Sequence, residues 1–380
     1  MPIDLYRPLG LEEPQPPRPP RRFTARGVGV AVLFVMLAAG SAATALLQPE
    51  RREARYDPTA ASATPVAVER EAMPSLPSTP VPTIQRGPED IGTPAVGAAP
   101  LVVSEPGSLR QAPQQAHIPD DALIESSPFG PLPVRGPDGR RPLDVYAGAP
   151  AQNLGTRIAI VVGGLGISQT GSQYAINRLP AGVTLAFASA GNSLSRWMQD
   201  ARREGHELIL QVPMEPFGYP NVTPGEHTVT VDDVNAGQMD DLDWSLGRMT
   251  NYVGIMPFMG ARVTSDEAAT KALLDETARR GLLFFDDGAS ARSLAQETAV
   301  NEQAPFARAD IQIDQSRTAA DLQSQLDALE RTARAKGSAI GIASAFRESV
   351  DAIASWIDEA RERGVEVVPV SDLALDPERR

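Results

Sequence analysis

The stretch Arg157–Gly166, RIAIVVGGLG, decides how the rest of the chain is read. Ile158 to Val162 form a short run of β-branched and small apolar residues, the pattern of a strand buried on both faces, and the run passes straight into Gly163, Gly164 and Gly166. A buried strand ending in glycines demands a test for nucleotide binding. A dinucleotide fingerprint needs Gly-x-Gly-x-x-Gly, and counting from Gly164 and Gly166 puts Gln169 in the third position. No Gly-Lys-Ser/Thr follows, and neither a Gly-x-Ser-x-Gly elbow nor a His-Glu-x-x-His helix occurs. The glycines are therefore expected to permit close backbone approach, by packing or by a ligand.

Downstream of this strand, short apolar runs alternate with amphipathic segments as far as Leu373. Strands are expected at residues 158–162, 183–186, 208–212, 253–256, 282–285, 311–313, 339–342 and 365–368. Thr264 and Glu267 read as a capping box opening a helix that Gly281 closes. Leu322, Leu326, Leu329 and Ala333 share one helix face before Gly337, and Val350, Ile353, Ile357 and Ala360 repeat the pattern before Gly364. Such alternation predicts an α/β fold with a mostly parallel sheet, open or closed into a barrel, and a ligand site at the carboxyl ends of the strands.

Upstream, the composition changes. Residues 48–150 are rich in Pro, Ala, Ser, Glu and Gln without a sustained period, which predicts a disordered, extended tether. Residues 27–47, GVGVAVLFVMLAAGSAATALL, are uncharged and long enough to cross about 30 Å of hydrocarbon. Arg18, Arg21, Arg22 and Arg26 precede them, which favours a cytoplasmic N-terminus. An uncleaved signal anchor is expected, with a cleaved signal peptide as the alternative. The expected divisions are a tail (1–26), a transmembrane helix (27–47), a linker (48–150), a folded domain (151–375) and a short tail (376–380). PQPPRPP, residues 14–20, reads as a solvated tail or as a ligand for an aromatic-lined groove.

The formal charge of −13 argues against a nucleic-acid partner, which would want a basic face. The absence of cysteine removes disulfides, thiolate metal ligands and cysteine nucleophiles.

RIAIVVGGLG resembles the first strand of the divergent polysaccharide deacetylase family, which reads close to IAIVIDDLG. Further ordered matches are LILQVPMEP (208–216), FMGARVT (258–264), LLFFDDGAS (282–290) and VEVVPVSDL (365–373). The resemblance implies a distorted (β/α) barrel of about seven to eight strands. It also implies a cell-envelope protein of the bacterial inner membrane, N-terminus cytoplasmic and domain periplasmic, that handles glycan. The family's chemistry is metal-assisted hydrolysis of an acetyl group on a sugar, with a carboxylate and two imidazoles around a divalent ion such as zinc. At the matching positions this chain carries Gly163 and Gly164 for the aspartate pair, Gln211 and Phe258 for histidines, and Ser344 for the histidine of the late Gly-His motif. No metal site is expected among them.

Other polar groups remain where a cleft is expected. Glu215, Asp286 and Asp287 are candidates for acid/base work. Gly163, Gly164, Gln211, Arg262, Arg308, Asp310 and Asp314 are candidates for substrate contact. Each has a structural alternative: capping for Asp286 and Asp287, an ion pair for Arg262, loop fixing for Glu215. Of the three histidines, His117 lies in the tether, His206 precedes its strand away from the cleft, and His227 sits in a loop as a solvated residue or a rim group. Three functions follow: a glycan- or partner-binding domain without metal catalysis, an active hydrolase using the remaining carboxylates, or an interaction protein with a vestigial cleft. Nucleotide and nucleic acid are not expected as partners.

Overall fold

The computed structural model describes residues 109–152 and 155–379. The expected tail and transmembrane segment, and the tether up to residue 108, lie outside the described residues. Among the described residues no helix is long and apolar enough to cross a membrane.

A two-stranded antiparallel hairpin, β1 (Ile124–Ser127) and β2 (Gly130–Pro133), precedes the main sheet. The sheet is built from β3 (Thr156–Leu165), β4 (Thr184–Ala188), β5 (Leu208–Met214), β6 (Gly254–Met259), β7 (Leu283–Asp286), β8 (Phe306–Arg308), β9 (Ile311–Gln312), β10 (Ser338–Ser344) and β11 (Val365–Val368). All its pairings are parallel, in the order β8-β7-β6-β5-β4-β3-β10-β9. β3 pairs with β10 along one edge, and its other edge is divided between β11 at Thr156–Ala159 and β4 at Val161–Leu165. The end strands β8 and β9 are successive segments of one stretch: Ala309 N donates to Asp286 O and Asp310 N to Ile340 O, so the chain leaves β7 and joins β10 directly. The sheet is curled and parallel, in keeping with an irregular (β/α) barrel.

Strand alternation sorts the apolar side chains into two cores. Ile158, Ile160 and Val162 of β3 join Leu208, Leu210 and Val212 of β5 in the layer beneath the helices. Ala159 and Val161 of β3 face inward with Ile209, Met256, Phe285, Ala307 and Ile342. The helices at Ala319–Lys336 and Arg347–Glu362 bury the faces their spacing predicts, and Gly337 ends the first at φ 89°.

Three expectations are corrected. The tether is ordered from Leu109 onward: Leu123, Leu143, Val145 and Tyr146 belong to the inner core and seal the amino end of the sheet. Proline does not oppose this, because Pro142 opens a short helix and Pro131 and Pro133 lie in a two-stranded hairpin. The tail is also fastened over residues 376–379, with the Asp376 carboxylate 2.7 Å from Arg141 and almost wholly buried. Finally, a turn at Val263–Ser265 delays the next helix, so Asp266 rather than Thr264 caps it, accepting from Ala269 N at 3.0 Å. The Thr264 hydroxyl donates to Gly260 O instead.

Candidate functional site

At the carboxyl end of β3 the two glycines carry out different tasks. Gly164 adopts φ +82° where the register against β4 shifts between Val162 and Leu165, a bulge that a side chain would strain. Gly163 lies outside the positive-φ region but has little room: an added Cβ would stand 3.0 Å from Gln211 Nε2, and that amide would have to shift by a few tenths of an ångström. Gln211 is buried on the inward face of β5, and its Oε1 accepts from Gly164 N at 2.6 Å. One amide side chain thus lies in the space beside β3 that the missing Cβ leaves open.

Alternation turns Gly163, Gln211, Phe258 and Ser344 to the inward layer near the carboxyl ends of their strands; Ser344 lies beside Gly163 in register, Gln211 lies beside Met256, and Phe258 stands one step further out. Asp287 is the first residue beyond β7. Burial pushes its carboxyl up to about 6, with the nearby Asp286 carboxylate adding to the shift and a hydrogen bond from Ala289 N opposing it. The donors of this layer do not suit a divalent metal. The glycines offer only backbone, the Gln211 oxygen is engaged and Phe258 has no ligand atom. Among the described residues no group of three His, Asp or Glu side chains could hold a metal ion.

The remaining candidates scatter. Asp286, next along from Phe285, takes the other face: it accepts from Gly288 N and Ser293 Oγ, with Arg308 Nε at 3.7 Å. The two neighbours are held separately, Asp286 by Gly288 N and Ser293 Oγ and Asp287 by Ala289 N. Glu215 has both oxygens engaged, Oε2 by Val231 N at 2.8 Å and Oε1 by Arg262 Nε at 2.9 Å, which fixes the loops after β5 and β6. Asp310 faces Lys336 at 2.8 Å and the amide of Ile340, toward the amino end of β10. Asp314 accepts from Ser344 N and Ser349 Oγ and holds the loop after β10.

His206 is buried with its ring nitrogens against Val183 O and Ile176 O, and burial pushes its pKa down. His227 is more than a solvated loop residue: it stacks on Trp244 with centroids 3.8 Å apart, and Nδ1 lies 2.8 Å from Asp241.

What the sequence reading missed is the exposed apolar rim. Phe217 and Tyr219 follow β5, Phe258 and Met259 end β6, and Phe346 follows β10, each between 37% and 47% exposed. Their signal was available: large apolar residues placed just after strand ends, where loops are usually polar. Such a grouping on one end of a fold marks a binding surface.

Comparison with known proteins agrees with this fold. The chain is 24% identical over 188 residues to an uncharacterized protein of Haemophilus influenzae, covering 49% of this chain and 66% of that one. It is 22% identical over 190 residues to the uncharacterized protein YibQ of Escherichia coli, covering 50% and 58%. The match therefore spans just under two thirds of the first relative's length and 58% of the second's. The crystal structure of the uncharacterized protein ATU2773 from Agrobacterium tumefaciens C58 superposes with a TM-score of 0.63 at 52% identity, over 64% of this chain and 99% of that one. The family model described as divergent polysaccharide deacetylase matches residues 160–374, more than half the chain, from the middle of β3 to just beyond β11. The chain belongs to the divergent polysaccharide deacetylase family.

Proposed function

We propose that this protein is a membrane-anchored component of the bacterial envelope, held in the inner membrane by residues 27–47 with its domain in the periplasm. In this reading the cleft at the carboxyl end of the sheet binds glycan without the family's metal-assisted hydrolysis. The observation that carries it is the Gln211 amide lying against Gly163 and hydrogen-bonded to Gly164, in the layer where a metal would need carboxylate and imidazole. Binding requires less than catalysis: a cleft, a few fixed polar groups and apolar faces. Glu215 and Arg262 hold the loops, while Phe258, Phe217 and Tyr219 offer rings to the apolar CH faces of sugars.

Asp287 favours a second reading, a hydrolase using the remaining carboxylates. A carboxyl that ionises near neutrality at the end of β7 has the pKa of a proton-transfer group. Its neighbour Asp286 is already engaged by Gly288 N, Ser293 Oγ and Arg308, so the binding reading is preferred.

The test uses the full chain. Bound zinc is measured, acetate release is assayed on acetylated chitin oligomers and peptidoglycan, and glycan is titrated against wild type and Phe258→Ser. The proposal expects no stoichiometric metal, no acetate, and saturable binding weakened by the substitution. Metal-dependent acetate release would overturn it, and metal-independent release lost in Asp287→Asn would establish the second reading. Absence of any glycan binding would leave the domain as a docking surface for an envelope protein.

A further inference from the structure

Arginine in this protein normally sits against a carboxylate: Arg141 against Asp144 and Asp376, Arg280 against Glu276, Asp243 and Glu125, Arg363 against Glu330. Of the exposed arginines outside that pattern, Arg331 lies on the helix at Ala319–Lys336 and Arg248 donates to the carbonyls of Ser189 and Gly191, while three others follow strand ends and have neither kind of partner. Arg292, Arg317 and Arg347 make no ion pair among the described residues, and each guanidinium lies over an aromatic ring: Arg292 over Phe217 at 5.5 Å, Arg317 over Phe346 at 4.4 Å, Arg347 over Tyr174 at 3.9 Å. All three follow carboxyl ends of strands, Arg292 after β7, Arg317 after β9 and Arg347 after β10. Arg317, Phe346, Arg347 and Tyr174 form a continuous row, because Phe346 and Arg347 are neighbours in the chain.

A shortage of acids does not explain unpaired cations in a chain with 48 acidic and 35 basic residues. The nearest acids are largely engaged: Asp314 accepts from Ser344 N and Ser349 Oγ, Asp351 from the Tyr174 hydroxyl, and Asp321 from Ser316 and Thr318. Glu348 is exposed in the same turn as Arg347 and faces solvent. A guanidinium resting on a ring is held flat, so its N–H fork is ordered in advance and its free edge is turned to solvent. That fork matches a carboxylate with two parallel hydrogen bonds.

We propose that this arginine row, with Arg292 on the same end of the sheet, recognises a carboxylate-bearing glycan strand. The arginines take the pendant carboxylates while the exposed rings of Phe258 and Tyr219 take the sugar faces. The proposal rests on the glycan-binding reading above and adds the ligand's charge to it. Charge complementarity selects the occupant: a neutral glycan leaves three desolvatable cations without partners, and a cationic one is repelled.

The experiment titrates the full chain in neutral detergent with hexagalacturonate, with the same hexamer after carboxyl reduction, and with vesicles containing phosphatidylglycerol. The hexuronate should bind at least about fivefold tighter than its reduced form at low salt, with the difference shrinking as salt rises. The pair Arg317→Ala and Arg347→Ala should abolish that preference and leave affinity for the reduced hexamer unchanged. Both side chains are exposed and unpaired, so the fold should tolerate the change, and an unaltered thermal transition verifies this. Lysine at both positions should restore part of the preference, since the charge returns without the planar fork. Equal affinity for the two hexamers overturns the proposal and leaves the glycan reading standing. Binding of neither hexamer overturns both. Arginine-dependent binding to the vesicles without binding to the hexuronate overturns it in favour of an anionic lipid surface.

Discussion

At the amino end of the curled sheet, Glu207 is fully buried and accepts from the amides of Gly148 and Ser371 and the hydroxyls of Thr184 and Ser371. At the carboxyl end, Phe258 near the end of β6 and Phe346 beyond β10 stand nearly half exposed. The amino end is closed by residues from both flanks of the domain: Leu123, Leu143, Val145 and Tyr146 from before it, Val370 from after it. Arg202 belongs to the same end, its guanidinium bonded to the carbonyls of Ala116 and His206 and its pKa lowered to about 10 by burial. At the carboxyl end Phe217, Tyr219, Phe258, Met259 and Phe346 remain exposed. Buried, paired polar groups are concentrated at one end and exposed apolar side chains at the other, the division that a parallel sheet with helical crossovers favours.

The largest effect should come from removing the cover. A chain begun at Ala151 loses Leu123, Leu143, Val145 and Tyr146, side chains whose burial contributes about 1.5–3 kcal/mol each. The sum approaches the roughly 5–15 kcal/mol of a whole domain, so no cooperative thermal transition is expected. A sharp transition near that of a chain begun at Leu109 would break the comparison. Glu207→Ala leaves several buried donors unpaired and should cost about 3–5 kcal/mol in urea denaturation, against little for a comparable change at the open end.

Asp287 sharpens the contrast through pH. Its folded pKa, about 6, lies above the ordinary aspartate value of 3.8, so the folded state holds a proton that the unfolded chain releases. Stability is therefore fully present below pH 4 and falls as pH rises through 6. Asp287→Asn should raise stability by about 2 kcal/mol at pH 8 and by almost nothing at pH 4, as measured by urea midpoints at both values. An equal effect at the two pH values would show that the carboxyl ionises normally. The smallest effect belongs to Gly164→Ala, where φ +82° strains a side chain that meets no neighbour within 4 Å. About 1–2 kcal/mol is expected from backbone alone, and replacing Gln211 with Ala in that background should not relieve it. Relief would mean that side-chain crowding, as at Gly163, is the cause.

Much of this architecture was legible in the chain. Every strand read from an apolar run is present, and the helices ending at Gly281, Gly337 and Gly364 close at those glycines with positive φ. β8 escaped because Phe306–Arg308 is too short for periodicity to register. The ordered strap before β3 escaped because its apolar residues are scattered and its proline content resembles that of a linker. For the site, the sequence placed Asp286 and Asp287 at the end of the strand, where the structure has them. The engagement of Glu215 with Val231 and Arg262 was not legible, since those partners arrive from different loops.

The sequence by itself determined the parallel α/β domain and its family, because periodicity, glycine stops and ordered motifs are local properties of the chain. It also determined that the first strand ends without side chains. Only the tertiary structure decided what that absence means: the Gln211 amide crosses from β5 to occupy the space beside Gly163 and bind the amide of Gly164. It likewise decided that the amino end is sealed by a segment of linker-like composition, and that unpaired arginines gather at the other end. Those outcomes depend on which residues meet across the sheet, and a distance between chain segments far apart in sequence is set by packing, not by composition.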